Sequence, residues 1–183
     1  RFDLRPYIRR RIELARAART GRVWEEPDSL MALLTYDAGR FLRYDADGKS
    51  LSTLGTHGHE KGQLECPRTV NTDTQGNLYV VDCWNHRIQK FSPDGKLLLS
   101  FGGKGGPWGY DEADGLFLYP YGVAVDSKGN IYVSDYNNTR LQKFDAKGKF
   151  LLKWGVEGRQ DGQFSKPGTL VMDAQDRLWV ADV

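Results

Sequence analysis

Short apolar runs recur along the chain, separated by turns rich in glycine, asparagine and aspartate. Gly122-Val123-Ala124-Val125-Asp126 is one run, and the turn Ser127-Lys128-Gly129-Asn130 follows it. Ile131 to Ser134, Arg140 to Phe144 and Phe150 to Trp154 come next, with Lys147-Gly148 turning between the last two. These runs are short, with β-branched and aromatic residues between turn signals, so they predict strands. The same succession occurs upstream. It runs from Pro67 through Thr74-Gln75-Gly76-Asn77, Leu78 to Val81, Arg87 to Phe91, Asp94-Gly95 and Leu97 to Phe101. A further copy starts at Pro167 and reaches Leu178 to Ala181 through Ala174-Gln175-Asp176-Arg177. Pro67, Pro120 and Pro167 each stand where a strand begins and a missing N–H costs least.

The copies keep register. Pro67 to Pro120 and Asp82 to Asp135 both step by 53 residues, and Pro120 to Pro167 and Asp135 to Asp182 both step by 47. The six-residue difference falls in one stretch, Gly103 to Glu112, so a common unit carries one insertion. Repetition on this scale indicates a stacked or radial architecture. Four short strands per unit, each meandering to the next, make one propeller blade. A degenerate copy precedes the others: Leu33 to Asp37 matches a second strand, Arg40 to Tyr44 a third, and Leu51 to Gly55 a fourth, with a third-strand approach two residues shorter. The expectation is an all-β partial β-propeller of about three and a half four-stranded blades, at about 30–55, 62–102, 115–155 and an incomplete 162–183. A basic amphipathic helix and linker are expected over 1–29.

The strands Pro120-Tyr121-Gly122-Val123-Ala124-Val125-Asp126, Gly129-Asn130-Ile131-Tyr132-Val133-Ser134-Asp135 and Asn85-His86-Arg87-Ile88-Gln89-Lys90-Phe91 resemble the NHL repeat. Its Asn-His-Leu triplet here reads Asn85-His86-Arg87 and Asn138-Thr139-Arg140. The resemblance covers about Gly62 to Val183 and implies a propeller, whereas a fold of this kind hosts many functions. Since such propellers usually have more blades, the chain is expected to be part of a longer one, with two copies completing one ring as the alternative.

Hydrophobic residues make up 39% and charged residues 27%, as in ordinary soluble globular proteins. Charge is uneven. Residues 1–22 carry eight arginines against Asp3 and Glu13, a balance of +6, which leaves −4 for the rest of a chain whose total is +2. Ile8, Ile12, Ala15 and Ala18 can share one helical face. The bland reading of this leader is a helix packed on the propeller or a partner. The sharper one gives Arg5, Arg9, Arg10 and Arg11 a role at an acidic membrane surface or a partner. Nucleic acid is disfavoured, because the propeller part is acidic and no basic patch repeats.

The candidate chemistry is sparse. Asp82 with Arg87, and Asp135 with Arg140, recur five residues apart in each unit, so they are read as structural pairs rather than as acid and binding arginine. His57 and His59 offer two metal ligands where zinc needs three or four, so no metal site is assigned and no cofactor is expected. One branch related by resemblance is a peptide-amidating lyase, associated with zinc and a histidine cluster, and that cluster cannot be placed on these residues. Cys66 precedes the first strand of its blade and Cys83 follows the second, so the hairpin brings them together: a disulfide in an oxidising compartment, free thiols otherwise. Gly48-Lys49-Ser50 resembles the end of a phosphate loop but reads as a hairpin turn.

A surface remains. Trp84, Asn85 and His86, with Tyr136 and Asn138, decorate equivalent loops; Trp108 and Tyr110 come from the insertion, and Tyr121 from the start of a first strand. Aromatic and amide side chains on one face suit protein interaction. The expected function is a non-catalytic interaction or scaffolding propeller with protein partners, in a larger or membrane-associated assembly. The alternatives are a metal-assisted propeller lyase or lactonase and an RNA-binding module.

Overall fold

A computed structural model describes residues 31–35, 39–104 and 113–183. The leader helix with Arg5, Arg9, Arg10 and Arg11, and the insertion residues Trp108 and Tyr110, lie outside the described residues. Among those described, no helix is long and apolar enough to cross a membrane.

The strands form four antiparallel sheets in chain order. The first holds β1 (Met31–Thr35), β2 (Arg40–Tyr44) and β3 (Ser50–Leu54). The second holds β4 (Pro67–Thr72), β5 (Leu78–Asp82), β6 (Arg87–Phe91) and β7 (Leu97–Gly102). The third holds β8 (Val123–Val125), β9 (Ile131–Asp135), β10 (Arg140–Phe144) and β11 (Phe150–Trp154). The fourth holds β12 (Pro167–Met172) and β13 (Leu178–Asp182). Every strand pairs with its neighbour in sequence, as a meander of short turns requires.

The register repeats to the residue. A bulge interrupts the last pairing at Arg43/Tyr44, Lys90/Phe91 and Lys143/Phe144, and another interrupts β4 after Pro67 and β12 after Pro167. Each bulge adds local twist and bends its strand, the one in the last pairing at the same point of the first three sheets and the one after the proline at the same point of the second and fourth. In the first sheet, Thr35 lies opposite Arg40, as Asp82 lies opposite Arg87. The strand therefore sits two residues earlier than the Leu33–Asp37 reading. The shortened approach disappears because the ladder keeps the same five-residue return, with Thr35 in the aspartate's register.

Apolar side chains pack between adjacent sheets. Phe41, Leu64, Val80 and Phe91 fill the first junction. Tyr79, Val81, Ile88, Phe117, Val123, Ile131, Val133 and Phe144 fill the second. Ala124, Leu141 and Leu170, with Trp154 and Phe164 beside them, fill the third. This is sheet-on-sheet packing with one layer of interdigitated side chains per interface.

Leu64, Phe117 and Phe164 each plug the gap between their own blade and the previous one. Their backbones bridge in parallel to His57, Lys104 and Glu157. Room for each plug comes from a glycine: a Cβ on Gly55 would lie 2.7 Å from Leu64, on Gly102 2.6 Å from Phe117, and on Gly155 2.5 Å from Phe164. All three glycines also adopt positive φ, +87°, +97° and +95°, where a side chain is strained.

Candidate interaction face

The loops between the second and third strands are organised by a buried aspartate. Asp82 and Asp135 are both fully buried. Arg87 Nε donates to Asp82 at 2.6 Å and Arg140 Nε to Asp135 at 2.8 Å. The backbone N–H groups of Glu65 and Leu118 donate to the same carboxylates at 2.7 Å, and Gln89 and Gln142 donate at 3.0 and 3.1 Å. Burial pushes both carboxyls up from their ordinary value, while these donors pull them down. The arginines also reach loop carbonyls, Arg87 those of Glu60 and Gln63, and Arg140 those of Ala113 and Leu116. Each network ties the segment that enters a blade to that blade's middle strands. With every oxygen occupied, the carboxylates have no geometry for acid–base work.

Two of the loop amides are absorbed by the same networks. Asn85 donates to Asp82 at 2.9 Å and to the Gly58 carbonyl at 3.0 Å, and Asn138 donates to Asp135 at 2.9 Å. His86, expected on the surface, is only 6% exposed. Its φ of +53° turns the ring inward; its ring centroid lies 4.5 Å from that of Tyr119, and its Nδ1 accepts the Tyr119 N–H at 3.1 Å. Burial, with the Lys104 charge adding to it, holds the imidazole below its ordinary pKa.

What stays open is aromatic and cationic. Trp84 is 52% and Tyr119 39% exposed. A cavity of about 280 Å³ lies where the second and third blades meet, lined by Arg68, Cys83, Tyr119, Tyr121, Tyr136 and Asn137. The Arg68 guanidinium lies over the Tyr121 ring, 5.6 Å from its centroid. Tyr121 stacks on Tyr136 at 5.5 Å, and Lys166 Nζ lies 5.3 Å from the centroid of Tyr136. The result is a ladder of cation, ring, ring and cation. Thr69 fixes its first step by donating to the Tyr121 carbonyl at 2.7 Å, which binds β4 to the start of the next blade's first strand. The sequence reading names Tyr121 and Tyr136 but misses Arg68 and Lys166. Superposing the repeat units marks both, since Arg68 falls on Tyr121, and Lys166 on Tyr119 and Cys66.

Cys66 and Cys83 are both buried and are free thiols, so the candidate disulfide is not formed in this structure. The Pro67–Asp82 pair adjoins them, and Cys83 lies with Arg68 on the cavity wall. Burial pushes that thiol up to about 11, which Arg68 only partly offsets. His59 Nδ1 lies 2.9 Å from Asn85 Oδ1 and 3.0 Å from Glu65 Oε2, while the His57 backbone serves the bridge to Leu64. Among the described residues, no group of three or more His, Cys, Asp or Glu is arranged to hold a metal. The zinc suggested by the lyase branch therefore does not fit the side chains described.

The four-stranded meanders, their common bulges and their face-to-face packing define a β-propeller. The chain belongs to the NHL-repeat family: the family model of the NHL repeat matches residues 64–91 and 117–144. It is 38% identical over 132 residues to peptidylglycine alpha-amidating monooxygenase of Rattus norvegicus, covering 67% of this chain and 13% of that protein. It is 29% identical over 177 residues to a probable peptidyl-alpha-hydroxyglycine alpha-amidating lyase of Caenorhabditis elegans, covering 90% and 48%. It is also 31% identical over 151 residues to human NHL repeat-containing protein 3, covering 74% and 41%. The chain thus spans less than half the length of each of these relatives. Among solved structures, a streptogramin B lyase superposes with a TM-score of 0.59 at 16% identity, over 86% of this chain and 46% of that one, a likeness of fold alone.

Proposed function

We propose that the loop face of this propeller is a protein-binding surface centred on the Arg68–Tyr121–Tyr136 cavity, and that the chain works as an interaction module without catalysis of its own. The observation that carries this reading is the division of labour among the loop side chains. Asp82, Asn85, Arg87 and their third-blade counterparts are consumed in holding blades together, whereas Tyr119, Tyr121 and Tyr136 line an open cavity, and Trp84, next in the chain to the lining residue Cys83, is exposed. Rigid aromatic rings beside an arginine are the groups that dominate binding energy at protein interfaces. The chemistry available supports the non-catalytic part. The Cys83 thiol is raised and protonated at neutral pH, hence a poor nucleophile.

The test is selection of displayed peptides against the full chain. Trp84→Ala and Tyr136→Ala are each expected to weaken the selected peptides about tenfold or more, while Leu98→Glu, on the outer strand, leaves them unchanged. Selected peptides that bind both aromatic variants as tightly as the wild-type chain would sink the reading.

A lyase is the second reading, favoured by the identity to the Caenorhabditis elegans protein over 90% of this chain. Its metal ligands would have to come from outside the described residues. Turnover of a peptidyl-alpha-hydroxyglycine by the full chain with added zinc would favour it over the interaction module.

A further inference from the structure

We infer that Asn137 is a modification site, the acceptor of an N-linked oligosaccharide rooted on the wall of the tyrosine cavity. The sugar would stand beside the proposed binding face and narrow which partners reach it, but the inference does not rest on that face.

The motif is Asn137-Asn138-Thr139. An asparagine with a hydroxyl residue two positions on, and no proline between, is the acceptor pattern for N-linked sugar. The chain has six asparagines, and only Asn137 is followed at that distance by serine or threonine. A loop that carries asparagine for its own reasons can meet this pattern by chance, so what the blade itself requires decides its weight. The loops Asp82–Arg87 and Asp135–Arg140 share the aspartate, the asparagine three positions on and the arginine. Those three are tied together, Asn138 donating to Asp135 at 2.9 Å and Arg140 at 2.8 Å. Asn137 and Thr139, the two ends of the motif, fall on Trp84 and His86. Blade construction uses the middle residue and leaves both ends free to vary.

Asn137 is placed to carry a bulky group. Its backbone N–H donates to the Leu118 carbonyl at 3.1 Å, which fixes the loop. Its side chain is half-buried, lines the cavity and, among the described residues, enters no hydrogen bond. Its counterpart Trp84 is 52% exposed, so this position of the loop reaches solvent in the second blade as well.

Thr139 supplies a second observation. Its φ is +49°, a left-handed conformation that strains a β-branched residue and suits asparagine or glycine better. At the equivalent φ of +53°, His86 packs on Tyr119 and accepts its N–H. Thr139 makes no such side-chain bond among the described residues. A strained residue that the fold does not use points to a role outside the fold, and the hydroxyl of an acceptor motif is such a role.

The reaction joins the Asn137 amide nitrogen to the anomeric carbon of a lipid-diphosphate-linked oligosaccharide. The carbon–oxygen bond to the diphosphate breaks, the lipid diphosphate leaves, and the nitrogen gives up one proton. The inference therefore commits the chain to passage through a compartment that holds this donor.

The experiment isolates the full-length protein from the cells that make it and maps the tryptic peptide 129–140 by mass spectrometry, before and after peptide N-glycosidase in heavy-oxygen water. The peptide is expected to be missing at its bare mass and to appear after the enzyme with residue 137 converted to an aspartate that carries heavy oxygen. In the same cells, Asn137→Gln and Thr139→Asn should each abolish the sugar, and Thr139→Ser should keep it. With the sugar removed from both, Thr139→Asn should melt above the wild-type chain, because asparagine suits the backbone there. The mapping of the wild-type protein stands even if a variant fails to fold. A peptide found bare at Asn137 in the native protein overturns the inference, and so does sugar that survives Asn137→Gln. A Thr139→Asn chain that melts below the wild type would show that the fold needs Thr139, and would overturn the reading of its strain.

Discussion

Arg68 and Tyr121 occupy the same position of successive blades, and the guanidinium of the one lies over the ring of the other, 5.6 Å from its centroid. Both follow a proline that opens a first strand. Their contact is therefore made by the blade-to-blade step itself, and any residue put at 68 will face Tyr121.

The plug-and-glycine contacts give a graded prediction. Gly102→Ala combines a positive φ with a clash against Phe117, and is expected to destabilise by about 2 kcal/mol or more. Gly62→Ala has a similar φ but nothing within 4 Å of the added carbon, so it should cost about 1 kcal/mol. Urea titrations of both variants give the comparison; equal losses would show that φ alone matters and that the plug yields.

Asp135→Ala should be among the most damaging single changes. It leaves Arg140 as a buried charge without its carboxylate and removes the acceptor of the Leu118 N–H. A loss of about 3–5 kcal/mol is expected. A thermal melt within a few degrees of the wild-type value would show that water replaces the carboxylate at low cost.

His86 should make stability depend on pH. Its Nδ1 accepts the Tyr119 N–H, so the neutral ring is the one the fold uses. Its folded pKa lies below the ordinary 6.5, so the unfolded chain takes up the proton first. The stabilisation is complete above pH 6.5 and drains away as pH falls through the folded value. His86→Asn, which also tolerates the left-handed backbone, should flatten this part of the profile. Melts at pH 7.5 and 5.5 would show it, and an unchanged slope in the variant would assign the dependence to other groups.

Cys83 should resist alkylation in the native protein at pH 8, because it is buried and its pKa is pushed up to about 11. Mass spectrometry after iodoacetamide is expected to find it unmodified natively and labelled in denaturant. Native labelling as fast as that of an exposed thiol would mean that the cavity wall opens.

Much of the architecture was legible in the sequence because each blade states it again. The third strand Arg87–Phe91, the 53- and 47-residue steps and the Asp–Arg spacing all reappear as register and ion pairs. The first strand of the third blade was less legible, since its ladder is shorter than the apolar run Gly122 to Asp126 suggests. The site was harder to read for a related reason. Residue type at Asn85, His86 and Asn138 is typical of a surface loop, but a left-handed backbone at His86 and the demands of Asp82 and Asp135 draw all three into the fold. Arg68 and Lys166 carry no local motif. They are visible only as departures from their counterparts, once the copies are laid over one another.

The glycine that ends one sheet and the plug that opens the next have a consequence for how such a molecule can change. Each junction is written by two short words, one at the close of a unit and one at the start of its successor, and no word refers to a more distant unit. A unit cut between Gly102 and Phe117 and another cut between Gly155 and Phe164 present the same kind of socket and key. Whole units can therefore be duplicated, lost or exchanged at these seams with the junctions still spelled correctly, while the residues at 68, 121 and 168 vary independently from copy to copy.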